Sequence, residues 1–316
     1  MDKIFDIENG NARVILYEDG TRVVETLDPK DDHLDLKQPL SLDINISNRC
    51  SNNCPYCYAG NTPKGKTADL MSMEYLNGVE GIEMAINIQF PLPAFFEEWL
   101  TKMRDQGIVV SGTLNQIDFE RDPGLLKYIK TLQEKELLRG VGVSYRGNNS
   151  ELEDAILNNL SNVVIHTIVG ITPISAVERL LARGFKVLIL GYKKKERGID
   201  YIDNVDIGSW KNEIKEILRF KHRSILSFDT AAIKQLGIKD LISADEWKRF
   251  YQGDEGTISF YIDAVNRTFN VDSHTLDEPF SIDNIGSKKM SGLKKAKPIE
   301  QMFKIIKDKV NHTEEG

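Results

Sequence analysis

Three cysteines, Cys50, Cys54 and Cys57, fall in one short window, and the 316-residue chain has no others. Their spacing, Cys-x3-Cys-x2-Cys, sets three thiolates on one tight loop, Asn48-Arg49-Cys50-Ser51-Asn52-Asn53-Cys54-Pro55-Tyr56-Cys57-Tyr58-Ala59-Gly60. Three protein ligands fill three corners of a metal site and leave one open. Catalytic zinc sites keep such an open position, whereas structural ones close it with a fourth ligand. An iron–sulfur cube held by three cysteines likewise leaves one iron free for a substrate or cofactor. An odd cysteine count excludes a fully paired disulfide framework, and clustered thiols without a secretory signal point to a metal in a reducing compartment. The residues leave zinc open, with His33 or another histidine as fourth ligand, and also unliganded core thiols.

The elements that must position this loop form a βα rhythm. Short apolar runs at 40–47, 83–89, 108–114, 141–145, 163–169, 186–192 and 224–228 alternate with amphipathic stretches at 94–106, 123–137, 151–160, 175–183 and 207–220. The runs read as nearly continuous apolar strands, buried on both faces of a parallel sheet. In the first helix Phe95, Trp99 and Met103 recur at i, i+4 and i+8, one face. The fold class is α/β with right-handed crossovers. Asp19-Gly20 marks an amino-terminal hairpin over 12–26. After Phe228 the pattern gives helices at 229–237 and 243–251, a hairpin of 257–262 and 268–272, a basic stretch at 287–297 and a closing helix at 298–310. That divides the chain into 1–37 (hairpin and linker), 38–235 (core) and 236–316 (helices and hairpin covering the core).

The cysteine spacing, the aromatic Tyr56 just before the third cysteine and the placement after the first parallel strand resemble the cluster loop of the radical S-adenosylmethionine (radical SAM) superfamily. The layout also resembles radical SAM proteins of bacteriophages, in which the loop runs on through a Thr-Pro-x-Gly-Lys segment, here Thr62-Pro63-Lys64-Gly65-Lys66. The resemblance implies a partial (β/α)6 TIM-like barrel with an amino-terminal β-hairpin and a carboxyl-terminal α+β extension. It implies that Cys50, Cys54 and Cys57 ligate a [4Fe–4S] cluster whose open iron chelates S-adenosyl-L-methionine, and that Tyr56 lies near the adenine. It also implies an enzyme served by an electron donor such as a flavodoxin or ferredoxin.

By position, the rest of the implied cofactor pocket is as follows. Asn87 and Gln89 stand where the superfamily has a Gly-Gly-Glu-like element, which this chain lacks. Thr113 and Asn115 match a polar pair near the ribose. Ser144 matches a serine that meets the carboxylate or ribose. Arg146 replaces an acid and is expected to pair with the carboxylate. Other candidates come from the residues alone. His166 lies in an apolar run and is expected to be a core residue. Lys193, Lys194 and Lys195 end the sixth run, where strand carboxyl ends face the mouth of an α/β barrel. Asp229 is expected to cap a helix. Phe260, Tyr261 and Phe269 sit on the last hairpin, expected as a lid or packing element that closes the open side of the barrel.

Composition narrows the rest. Hydrophobic residues are 41% and charged residues 28%, an ordinary globular mix. The net charge of −7 gives no general attraction to nucleic acid or anionic membrane. The five lysines of 287–297 lack interleaved aromatic residues, so a loop is expected there rather than a nucleic-acid site. No apolar run approaches the roughly 20 residues of a membrane span, and no signal peptide is expected. A cytoplasmic enzyme acting on a small-molecule, nucleotide or peptide substrate is the expectation; an electron carrier or a non-catalytic zinc protein is the alternative.

Overall fold

The computed structural model describes residues 2–31, 33–147, 149–219, 224–251, 253–275, 277–285 and 296–314. All seven apolar runs form strands: β4 (Ser41–Asn45), β5 (Ile82–Asn87), β6 (Ile108–Asn115), β7 (Gly140–Ser144), β8 (Val163–Ile168), β9 (Lys186–Leu190) and β10 (Leu226–Phe228). Ahead of them, β1 (Lys3–Asn9), β2 (Ala12–Tyr17) and β3 (Arg22–Thr26) make a separate antiparallel sheet. The expected hairpin is β2–β3; β1 adds a third strand to it. Carboxyl-terminal strands are β11 (Ser259–Asp263), β12 (Thr268–Asn270) and β13 (Phe280–Ser281). The helices are α1 (Phe96–Asp105), α2 (Gln116–Arg121), α3 (Gly124–Glu134), α4 (Ser150–Asn159), α5 (Ile174–Ala182), α6 (Arg197–Asp200), α7 (Ile207–Arg219), α8 (Thr230–Leu236), α9 (Ala244–Phe250) and α10 (Pro298–Glu314).

The large sheet has ten strands in the order β10-β9-β8-β7-β6-β5-β4-β11-β12-β13. From β4 to β10 the pairing is parallel and follows chain order without reversal. A doubly wound sheet reverses its strand order at a switch point; this one does not. The sheet is mixed and flanked by helices, with β10 and β13 as its edges. The last hairpin is not a separate lid. β11 pairs in parallel with β4, and β12 and β13 continue the same sheet outward.

The strands are not buried on both faces as the apolar runs suggest. Burial alternates residue by residue along β4, β5, β6 and β9. One face holds Leu42, Ile44, Ile82, Met84, Ile86, Ile108, Val110 and Leu114, packed into one core with Trp99, Leu100, Ile129, Leu180, Trp210 and Ile214 of the helices. The other face carries Asp43, Asn45, Asn87, Ser111, Thr113 and Ser144 and stays partly open. A parallel sheet with one polar, half-open face has a face available for a ligand. The stripe on α1 is shifted too: Phe96, Trp99, Leu100 and Met103 are buried, while Phe95 is 64% exposed. Phe95 precedes the first turn, at a left-handed φ of 58°, so it lies off the helical face. Most of the basic stretch 287–297 lies outside the described residues. Among the described residues, no helix is long and apolar enough to cross a membrane.

Candidate active site

The cysteine loop leaves β4 at its carboxyl end and returns on itself. Ala68 N–H donates to Ile46 O at 2.9 Å, Asn48 N–H to Lys66 O at 2.8 Å, Thr62 N–H to Asn48 O at 3.2 Å, and Cys50 N–H to Thr62 O at 2.9 Å. The Thr62–Lys66 segment is therefore the return arm that closes the loop's stem. Gly65 packs directly on that stem, where a Cβ would lie 1.9 Å from Asn48 O. Within the loop, Cys57 N–H donates to Cys54 O at 3.2 Å and Gly60 N–H to Cys57 O at 3.3 Å. All three cysteines are free thiols and half-buried.

Side chains from three elements hold this loop to the sheet. Asn87, at the end of β5, accepts from Ile46 N–H at 2.8 Å through Oδ1 and donates from Nδ2 to Ser47 O at 2.7 Å. Its amide is a brace for the stem, not a vacant acceptor for a cofactor. From α2, Asp118 accepts from Asn52 Nδ2 at 3.0 Å, and Arg121 donates to Asn52 Oδ1 at 2.7 Å and Ser51 Oγ at 3.2 Å. From α6, Arg197 donates to Cys54 O at 3.0 Å and, through both terminal nitrogens, to Asn61 O at 3.1 Å. Nothing in the sequence sets Arg197 apart from the other residues of its basic run.

Arg146, just beyond β7, reaches the cysteines themselves. Its Nη2 donates to Cys54 Sγ at 2.9 Å, and its guanidinium lies 5.7 Å from the centre of the Tyr56 ring. Its Nε is buried without a partner. Tyr56 also meets Tyr201, ring centres 5.7 Å apart. Burial pushes the Cys50 thiol up, while the Asn52 N–H at 3.5 Å from its sulfur pulls the other way. A thiol held protonated by burial releases its proton when a metal binds, so metal loading carries a pH dependence.

Three thiols on one loop are a donor set that either zinc or an iron–sulfur cube takes. A tetrahedral zinc with Zn–S near 2.3 Å needs the sulfurs about 3.8 Å apart. A cube places each thiolate on a different corner iron, which spreads the sulfurs by the width of the cluster.

Register places the other predicted residues along the open face. Asn87, Thr113 and Gly142 are side by side across β5, β6 and β7. One layer nearer the carboxyl end, Asn115, Ser144 and His166 are side by side across β6, β7 and β8. Gly142 has no space for a side chain: a Cβ would lie 2.6 Å from His166 Cε1 and 2.8 Å from Thr113 Oγ1. His166 therefore leans over β7 on the open face, rather than into the apolar core that its neighbours in sequence suggest. Burial brings its pKa down to about 4, so the imidazole is neutral. Asn115 serves α2 as its N-cap, accepting from Ile117 N–H at 3.0 Å, in a capping box with Asp118. Gln89 has its Oε1 buried with no donor on it.

A second group of ionisable residues gathers beside Tyr58, the residue after Cys57. Lys193 is largely buried, with 14% of its side chain exposed. Its Nζ lies 4.7 Å from the Tyr58 ring centre, 3.4 Å from Ser273 Oγ and 4.0 Å from Asp229 Oδ2. Asp229 does cap α8 as expected, accepting from Ala232 N–H at 2.7 Å, and it also accepts from Gly191 N–H at 2.8 Å. Burial raises the Asp43 carboxyl, with Lys193 opposing. Asp43 itself is exposed on the open face of β4. Burial pushes Glu255 up to about 7, against the pull of Lys193. Lys194, by contrast, is exposed.

The Glu255 shift has a measurable consequence. The folded chain holds this proton more tightly than the unfolded chain, so stability is present below the ordinary carboxyl range and is lost as pH rises to about 7. Glu255→Gln removes that dependence. Urea melts should show the variant gaining on the parent by roughly 2 kcal/mol between pH 4.5 and 8; parallel stability curves would exclude the perturbed carboxyl.

No family model matches the chain, and no curated protein sequence is significantly similar to it.

Proposed function

We propose that the chain is a radical SAM enzyme built on a partial (β/α)6 barrel, with Cys50, Cys54 and Cys57 as the ligands of a [4Fe–4S] cluster. The observation that carries this reading is the three-thiol loop at the carboxyl edge of the first parallel strand, with one guanidinium on Cys54 and no fourth cysteine in the chain. The chain-order strand sequence and the open edges at β10 and β13 support the barrel reading. Held by these three thiolates, a reduced cluster would supply the electron for reductive cleavage of S-adenosylmethionine to methionine and a hydrogen-abstracting 5′-deoxyadenosyl radical.

The chain's own residues prepare that site. Arg146 sets a fixed positive charge 2.9 Å from Cys54 Sγ, complementary to the negative charge of a ligated cluster. Its partnerless Nε–H is a donor for the cofactor carboxylate, with the planar guanidinium geometry suited to that group. Gln89 Oε1, also buried without a partner, is the acceptor for the cofactor ammonium in place of the missing acid. Ser144 and Thr113 offer hydroxyls on the open face. Tyr56 is already flanked by Arg146 and Tyr201, so it presents its backbone rather than a free ring face. Three free thiols suit a cytoplasmic setting with a flavodoxin or ferredoxin as reductant.

The test is anaerobic reconstitution with iron and sulfide, reduction, and chromatography for 5′-deoxyadenosine and methionine. Both products should form slowly without substrate. A colourless protein holding one zinc per chain, or a brown one that never forms 5′-deoxyadenosine, overturns the proposal. With the cluster loaded, Gln89→Ala should weaken S-adenosylmethionine binding about tenfold or more, since a hydrogen bond to a charged group is worth roughly 1.5–3 kcal/mol. Ser144→Ala should weaken it less, by about fivefold, as a neutral hydroxyl contributes roughly 1 kcal/mol. Titration of the cofactor into both variants checks the order.

A further inference from the structure

Lys193, Asp43, Asp229 and Glu255 are drawn from β4, the ends of β9 and β10, and the segment before β11, yet they act on one another electrostatically. The group is half-finished. Lys193 has no polar contact shorter than 3.4 Å, and its nearest acid is at 4.0 Å, too far for a direct hydrogen bond. Asp43 stands in the middle of a strand, and its carboxyl group has no hydrogen-bond partner among the described residues. Its side chain is exposed on the open face of the sheet, where it is free to meet a cationic group of a ligand. Tyr58 ties the group to the cysteine loop, its hydroxyl 3.4 Å from Ser273 Oγ and its ring beneath Lys193.

We propose that these residues form the substrate pocket and that it takes a zwitterionic amine, an α-amino acid or a molecule ending in one. The substrate carboxylate pairs with Lys193, and its ammonium lies between Asp43 and Glu255. Calling the ligand a substrate rests on the radical reading; its binding does not.

Charge selects this class. The acids Asp43, Asp229, Glu255 and Asp272 outnumber the ammonium groups of Lys193 and Lys195, so a phosphate dianion is repelled. An ammonium is attracted, and a single carboxylate is accommodated by Lys193 alone. A divalent cation is the competing ligand, because Glu255, Asp272 and His274 offer atoms within 4.8 Å of one another. It is disfavoured because Lys193 and Lys195 already bear on His274, and Lys195 Nζ donates to Ser273 O at 3.1 Å beside it.

The probes are L-alanine, ethylamine, propanoate and inorganic phosphate, titrated into the full chain by saturation-transfer NMR, with and without the cluster. L-Alanine should bind at least tenfold more tightly than ethylamine or propanoate, which each lack one charged group. Lys193→Met should reduce L-alanine to the affinity of ethylamine, and Asp43→Asn to that of propanoate. The proposal is overturned if L-alanine is no tighter than either fragment on the parent chain, if phosphate binds more tightly than L-alanine, or if folded variants bind L-alanine like the parent. The parent-chain comparison stands even if a variant fails to fold. Absent binding with intact 5′-deoxyadenosine formation removes the pocket alone; binding without 5′-deoxyadenosine formation removes the radical reading alone.

Discussion

Cys54→Ala should fold like the parent and load no cluster. The sheet core contains no cysteine, and the loop's stem is closed by backbone hydrogen bonds, Asn87 and Arg197, none of which uses a thiol. Removing the sulfur removes its hydrogen bond from Arg146, worth about 1 kcal/mol. Thermal melting of the metal-free protein should therefore move by a few degrees at most, while iron per chain falls to background and the visible absorption disappears. Three thiolates are the fewest that hold the cube with one corner open, so Cys50→Ala and Cys57→Ala should behave alike. Arg146→Gln is the useful companion. It keeps all three ligands and removes the charge beside Cys54, so iron should load, with a lowered reduction potential, since nearby charge is one of the factors that sets it. A single cysteine variant that retains full iron content would show that the ligands have been misassigned.

The parts of this architecture that depend on neighbouring residues are legible in the sequence. The cysteine spacing is local, and so are the seven strands, each bounded by turn residues. The capping box of α2 is legible as well, because Asn115 and Asp118 have the spacing that caps a helix. Taking Asn115 as a cofactor contact hides it, and α2 with it. Asn87 shows the limit of such reasoning. A polar residue at a strand end serves a ligand or a neighbouring backbone equally well, and only the path of the returning loop decides between them. The polar alternation of Ser41-Leu42-Asp43-Ile44-Asn45 is visible in the sequence, yet the apolar residues around it make the run look continuous. Asp43, Lys193 and Glu255 cannot be joined from sequence. Their meeting depends on β11 entering the sheet beside β4, and no local pattern announces that pairing.

Gly65→Ala should cost the chain more than half of its cluster loading while leaving every ligand in place. The added Cβ would sit 1.9 Å from Asn48 O, 2.3 Å from its carbonyl carbon and 2.7 Å from Arg49 N. All three are backbone atoms, so no rotamer change can relieve the clash. Asn48 O is also the acceptor for Thr62 N–H, which closes the stem. Two responses are open to the chain. It can keep the stem closed and bear an overpacking cost of about 1–3 kcal/mol, or it can open the stem and release the cysteine loop. The loop lies at the surface and outside the apolar core, so opening is the cheaper route. Iron loading should therefore fall by more than half, with only a small change in the melting temperature of the metal-free chain. Gly208→Ala supplies the control. Gly208 lies in the first turn of α7, its nearest neighbour is Asp206 Oδ1 at an ordinary 3.5 Å, and alanine there should stabilise the helix by up to about 1 kcal/mol. Full iron loading in Gly65→Ala would mean that the return arm through Thr62–Lys66 does not shape the loop that holds the metal.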